Sequence, residues 1–332
     1  MSDARSSASP SQILSEGLRA FIQSDTLRHG GPGLIDPGRR EKLVWPPHSV
    51  SHEYALGAAD FHSDAIVAGY GETFKVAVAQ TPYGFFGRCE TLWNDAKGDT
   101  LESMLAALRE GMEPMLKRRH AISQTLGLKW LIHQPIKYLG PLDLLKLLYC
   151  PDRDVAMESR TIIEIQASSG LFFPALLDIL SDREHPLRRS PQWCVLDMFE
   201  DLNAFAKTDE ESAEAVKRIR DLMWDAPDDY CRTIYKAGVV LGGHICTDPA
   251  ADALLELLKS PSRIARRSAS HAVFHLVEWR PELRSEVVSQ LQIMAQQDPD
   301  ELLRSFAHSM AGDIESESND HVAEPVFPDE AA

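Results

Sequence analysis

A repeat constrains this chain more than any other feature. From Pro141 onward, Leu-rich blocks recur at Leu144 to Leu148, Leu176 to Leu180, Ile219 to Met223, Leu254 to Leu258 and Leu291 to Met294. Each precedes a turn containing Pro or Asp and then a second stretch with helical apolar spacing. Nine or ten residues after each block, a matching position falls on Glu158, Arg189, Arg232, Arg267 and Arg304. Five residues further on stand Ile163, Cys194, Ala237, Ala272 and Ser309, mostly small, which lets neighbouring helices approach closely. One helix pair cannot cover its own apolar face, so units of this kind must stack.

The Leu-rich helix, the turn Pro or Asp and the Arg of the second helix resemble the HEAT/armadillo class of α-solenoid, over about 140–312. The resemblance implies a mainly α chain whose second helices line a concave face. It also implies that Arg189, Arg232, Arg267 and Arg304 form a structural column, bonding the carboxylate or carbonyls of a neighbouring turn. Asp152, Asp182, Asp228 and Asp298 are available for this. In the doublets Arg188-Arg189 and Arg266-Arg267, one Arg turns inward, and Arg188 and Arg266 are expected to turn outward.

Four residues after each column Arg lie Trp193, Lys236, His271 and His308. With His275, one turn beyond His271, and with Arg188 and Arg266, they are the candidate binding surface. Trp and Arg dominate binding hot spots. His271 and His275 stand at i, i+4, a spacing that suits a metal, but Ala272 occupies the position where a metalloprotease needs its Glu. No metal, cofactor or catalytic residue is therefore assigned. Trp193 with Asp197, Glu200 and Asp201 is the only acidic and aromatic grouping that suggests a groove enzyme or lyase.

The remaining sequence divides in three. Residues 1–62 hold one short amphipathic helix over 11–24, then a Gly/Pro-rich irregular segment. Residues 63–127 form a small α+β module: alternation in Phe74 to Val78, a turn at Tyr83-Gly84, a return strand from Phe85 to Trp93, and a helix capped by Asp99 with Glu102. Gly111 and Pro114 are expected to break or bend that helix. Two strands, Gly98-Asp99-Thr100-Leu101-Glu102 and an amphipathic helix resemble the HicB-type antitoxin fold over about 64–118. That resemblance implies partner binding, and an antitoxin-like regulatory role is a third alternative. The insertion Trp93 to Lys97 departs from its pattern. The α-solenoid is expected over 128–312, and 313–332 reads as a disordered tail with seven acids and no Lys or Arg.

The 332 residues carry a net charge of −16, which opposes a main role in holding nucleic acid or anionic lipid. Five irregularly spaced cysteines without a CxxC suggest reduced thiols and a cytoplasmic location. No signal-like or membrane-spanning stretch is read in the sequence. Together these readings favour a non-catalytic scaffold or adaptor that binds a protein partner on the concave face of the solenoid; the first alternative is an enzyme or lyase using that groove for a small molecule or modified base.

Overall fold

The computed structural model describes residues 8–23, 63–69, 72–89, 92, 94–126, 136–150 and 152–316. The chain is mainly α with one small antiparallel sheet. Its contacts form two compact units, Ser24–Pro151 and Met1–Gln23 with Asp152–Ala332. The irregular segment expected over 25–62 and the tail after 316 lie outside the described residues.

The first unit holds strands β1 (Ser63–Gly69), β2 (Glu72–Thr81), β3 (Gly84–Cys89) and β4 (Asn94–Gly98), antiparallel and in chain order. Period-two alternation sends Phe74, Val76 and Val78 to one face with Cys89. There they meet Met104, Leu108, Met112 and Leu116 of helix α2 (Leu101–Leu126). The return strand is shorter than the sequence predicts, ending at Cys89, and 94–98 pair as a fourth strand: Arg88 faces Asp95 and ion-pairs with it at 2.9 Å.

Thr100, not Asp99, caps α2. The Ser103 amide donates to Thr100 Oγ1 at 3.1 Å, and the Thr100 amide donates to Ser103 Oγ at 3.1 Å. Nor does α2 break at Gly111 or Pro114. Met112 and Leu116 anchor both sides of the proline in the core, and the carbonyl that loses its donor belongs to exposed Glu110. Helix α3 (Pro141–Leu147), which carries the first Leu-rich block, also belongs to this unit.

The second unit is helical. Its elements are α1 (Pro10–Ile22), α4 (Arg153–Ile165), α5 (Phe173–Ser181), α6 (Arg189–Met198), α7 (Asp209–Trp224), α8 (Cys231–Val239), α9 (Asp248–Leu257), α10 (Arg263–Trp279), α11 (Arg284–Gln297) and α12 (Glu301–Ser316). Helices α1, α5, α7 and α9 pack in succession as one layer. Helices α4, α6, α8, α10 and α12 pack in succession as a second layer. Each of α5, α7 and α9 also packs on the helix that follows it, so consecutive pairs bridge the layers, and α11 pairs with α12. Leu176, Ile179, Val195, Ile219, Ile234, Leu254, Val273, Leu291 and Phe306 fill the space between them, nearly all fully buried.

Two boundaries differ from the sequence reading. Helix α1 packs on α5 across more than a hundred intervening residues, through buried Leu14 and Leu18 and a bidentate pair from Arg19 to Asp178 at 2.9 Å. No local pattern encodes that docking. Helix α12 runs four residues beyond 312, because Ile314 extends the buried stripe of Leu303, Phe306, Ala307 and Met310.

Helix α8 and the turn that follows it approach α10 closely. A Cβ on Gly238 would stand 2.2 Å from Ser268 Oγ, and one on Gly242 2.2 Å from the Ala272 carbonyl oxygen. Larger side chains at these two positions would force the backbones apart.

A polar seam on the second helical layer

Polar latches between helix pairs include Arg189 and Arg304 of the expected column and add residues from a second register. The fourth residue of several second-layer helices points back at the end of the preceding helix. Gln192 Nε2 donates to the Asp182 carbonyl at 2.7 Å and to the Ile179 carbonyl at 3.2 Å. Arg266 Nη1 donates to the Ser260 and Pro261 carbonyls at 2.9 and 3.1 Å. Arg304 Nη1 donates to the Asp298 carbonyl at 2.7 Å. These donors satisfy carbonyls that a helix end leaves unpaired.

Arg266, expected to face outward, is therefore an inward residue. It is 8% exposed and grips Asp298 through Nε–Oδ2 at 2.6 Å and Nη2–Oδ1 at 3.1 Å. Further Arg–Asp pairs tie successive turns together: Arg189 to Asp229, and Arg263 to Asp228 at 2.7 Å and to Asp300 at 3.5 Å. Arg189 also lies over the Tyr230 ring at 4.9 Å. Arg232 and Arg267 lie over aromatic rings, Trp193 at 5.8 Å and Tyr235 at 5.4 Å. Arg188 is half-buried, donates to the His185 carbonyl at 3.0 Å and lies over Tyr230 rather than toward Trp193.

Trp193 and Lys236 come together across α6 and α8, while His271 and His275 on α10 contact one another and Tyr235 of α8; these two neighbouring groups make up a seam that crosses α4, α6, α8 and α10. Lys236 Nζ donates to Asp197 Oδ1 at 2.6 Å and Glu200 Oε1 at 2.5 Å, and lies 5.2 Å from the Trp193 ring centroid. Arg160 of α4 holds the other Asp197 oxygen at 2.6 Å. Partial burial of Lys236 opposes its charge, but the hydrogen bonds and negative charges of Asp197 and Glu200 outweigh it and hold the ammonium above the usual lysine value. Beneath the seam, burial pushes the Cys194 thiol up to about 12, which leaves it protonated and inert.

A backbone irregularity adds a member. Val240–Ile245 form one turn of π-helix, ended by Cys246 in the left-handed region at φ +50. The wider turn brings His244 Nε2 to 3.7 Å from Glu200 Oε1. Such turns are frequent where a helix must re-aim a side chain.

Alongside runs a second chain of contacts. Tyr235 Oη and His271 Nε2 are 3.1 Å apart, His271 Nε2 and His275 Nε2 3.2 Å, and His275 Nδ1 and Glu278 Oε2 3.1 Å. Among the described residues no group of three His, Cys, Asp or Glu is placed to hold a metal. His308 lies exposed on α12, and no hydrogen bond or ion pair joins it to the seam among the described residues.

Arg153, Arg160, Tyr235 and His244 are seam members that sequence reasoning misses. They fall outside the repeat register, and only the stacking of α4, α6 and α8 and the π-turn bring them in. Among the described residues no helix is long and apolar enough to cross a membrane. Comparison with family models, with curated proteins and with solved structures finds no match to this chain.

Proposed function

We propose that the chain is a non-catalytic adaptor built on a HEAT-like α-solenoid, which binds a protein partner along the outer face of its second helical layer. One observation carries this reading. The seam joins four successive helices through charges and rings that are already locked by one another, with half-buried Trp193 at its centre. A surface fixed before the partner arrives loses little side-chain entropy on binding, and a Trp among cations is a typical hot-spot composition. Asp197 and Glu200 are engaged by Arg160 and Lys236, an arrangement that suits positioning rather than proton transfer.

A second reading, an enzyme using the same face, is favoured by Tyr235, His271, His275 and Glu278, four side chains of acid–base character brought within hydrogen-bond reach of one another. The two separate by capture. Tagged protein is incubated with lysate of its own organism, and the eluate is assayed for proteins and small molecules. The adaptor reading expects a stoichiometric partner that the Trp193→Ala, His271→Ala double variant no longer retains while staying folded. Undiminished capture by that variant contradicts it, and a co-purifying small molecule lost with His271→Ala supports the enzyme instead.

A further inference from the structure

We propose that Arg153, Trp193 and Arg232 form a seat for an extended acidic segment of a partner protein, with carboxylates three residues apart. The inference rests on the adaptor reading and supplies the chemistry of the partner. Arg153 comes from α4 and Arg232 from α8, the helices on either side of the one that carries Trp193. Each guanidinium carbon lies 5.8 Å from the Trp193 ring centroid.

Local charge sets these two apart from the rest of the seam. Lys236 and Arg160 are matched by Asp197 and Glu200, and Arg160 also reaches Glu164 at 3.3 Å. Arg153 and Arg232 are exposed, and neither pairs with a carboxylate among the described residues. Two like charges are thus drawn to one aromatic ring, with their forked donors uncommitted. A cation over an exposed ring gains about 0.5–1 kcal/mol, which positions a guanidinium without satisfying its donors. A carboxylate offers the bidentate acceptor they lack.

Spacing follows from the same distances. Two groups each 5.8 Å from one centroid are at most about 12 Å apart. Three residues of polyproline II cover about 9 Å and return the side chain to the same face. An acid-x-x-acid segment therefore reaches both guanidiniums, with a small apolar side chain free to lie on the indole. The overall charge of −16 favours a ligand with few, well-placed acids over a polyanion, because repulsion grows with each added negative charge.

The test is fluorescence anisotropy with a labelled peptide, (Glu-Pro-Thr) repeated three times, against its Gln-for-Glu counterpart, a labelled single-stranded oligonucleotide, and a peptide of residues 317–332. Proline holds the probe extended. Saturable binding is expected for the Glu peptide alone, weakened about tenfold by Arg153→Ala or by Arg232→Ala and more by both, and weakened by added salt. Both residues are exposed, and circular dichroism confirms that the variants fold. Equal binding by wild type and the double variant, or none, overturns the proposal. Tighter binding of the oligonucleotide at the same residues overturns it in favour of nucleic acid. Binding of the Glu peptide only after residues 317–332 are removed overturns an external occupant in favour of the chain's own tail. If partner capture depends on Trp193 and His271 while the Glu peptide ignores Arg153 and Arg232, the adaptor reading stands and this inference alone falls.

Discussion

The two helical layers share an interior but not an exterior. In the first layer, α1, α5, α7 and α9 carry ten acids against four cations. In the second, α4, α6, α8, α10 and α12 carry nine cations against eight acids, with six of the cations and two of the acids on α6, α8 and α10. Both bury similar aliphatic stripes against each other, so folding makes the same demand on each. Exposed ion pairs contribute about 0–1 kcal/mol each, and an intermixed surface would fold as well. The first layer is acidic and the second close to balanced, and the cations of the second gather on α6, α8 and α10, the helices that carry the seam.

Within the second layer the same contrast appears between neighbours. Arg266 turns in and latches two repeats, while Arg267 turns toward Tyr235 on the seam. The largest expected effect breaks the inner half of that comparison. Arg266→Ala leaves Asp298 buried without its cation and should cost about 3–5 kcal/mol in urea unfolding. Arg232→Ala, which removes an exposed cation from the Trp193 ring, should cost about 1 kcal/mol or less. Equal losses would erase the distinction between latch and seam.

Next comes Gln192→Leu, which strips the donor from carbonyls at the end of α5 and the acceptor from the Tyr230 hydroxyl. Thermal unfolding should show a loss of about 1–3 kcal/mol. A loss below that range would mean water replaces the latch.

A smaller effect sharpens the outer half. The carboxylates of Asp197 and Glu200 hold the folded pKa of Lys236 above the ordinary lysine value. Its contribution is fully present below the unfolded pKa and fades as pH rises through the folded one. The stability difference between wild type and Lys236→Met should therefore stay flat from pH 6 to pH 9 and shrink only above about pH 10.4. A difference that shrinks near neutral pH would contradict the placement of the ammonium between Asp197 and Glu200. The smallest effect is kinetic. Iodoacetamide at pH 8 should modify half-buried Cys246 before the buried Cys89, Cys150, Cys194 and Cys231, read by peptide mass mapping.

The mainly helical chain and the small antiparallel sheet were legible because each rests on local periodicity. Register was not. Arg189, Arg232, Arg267 and Arg304 share a sequence position, yet the inward donors are Gln192, Arg266 and Arg304. A residue's place in a repeat depends on where its helix begins, and one residue of shift turns a side chain by about a hundred degrees. Asp99 and Thr100 pose the same problem at a cap. The docking of α1 on α5 and the entry of Arg153 into the seam depend on tertiary stacking alone, so nothing near them in sequence announces either. His244 joins the seam because of a π-turn that no periodicity signals.

The most direct test of the second layer as the docking face is photo-crosslinking in the native organism. One photoreactive residue replaces Arg232 on α8, and in a separate strain one replaces exposed Asp252 on α9. The account predicts discrete partner adducts from position 232 and none above background from position 252. Adducts from 252 with none from 232 would place the docking face on the acidic layer and contradict it.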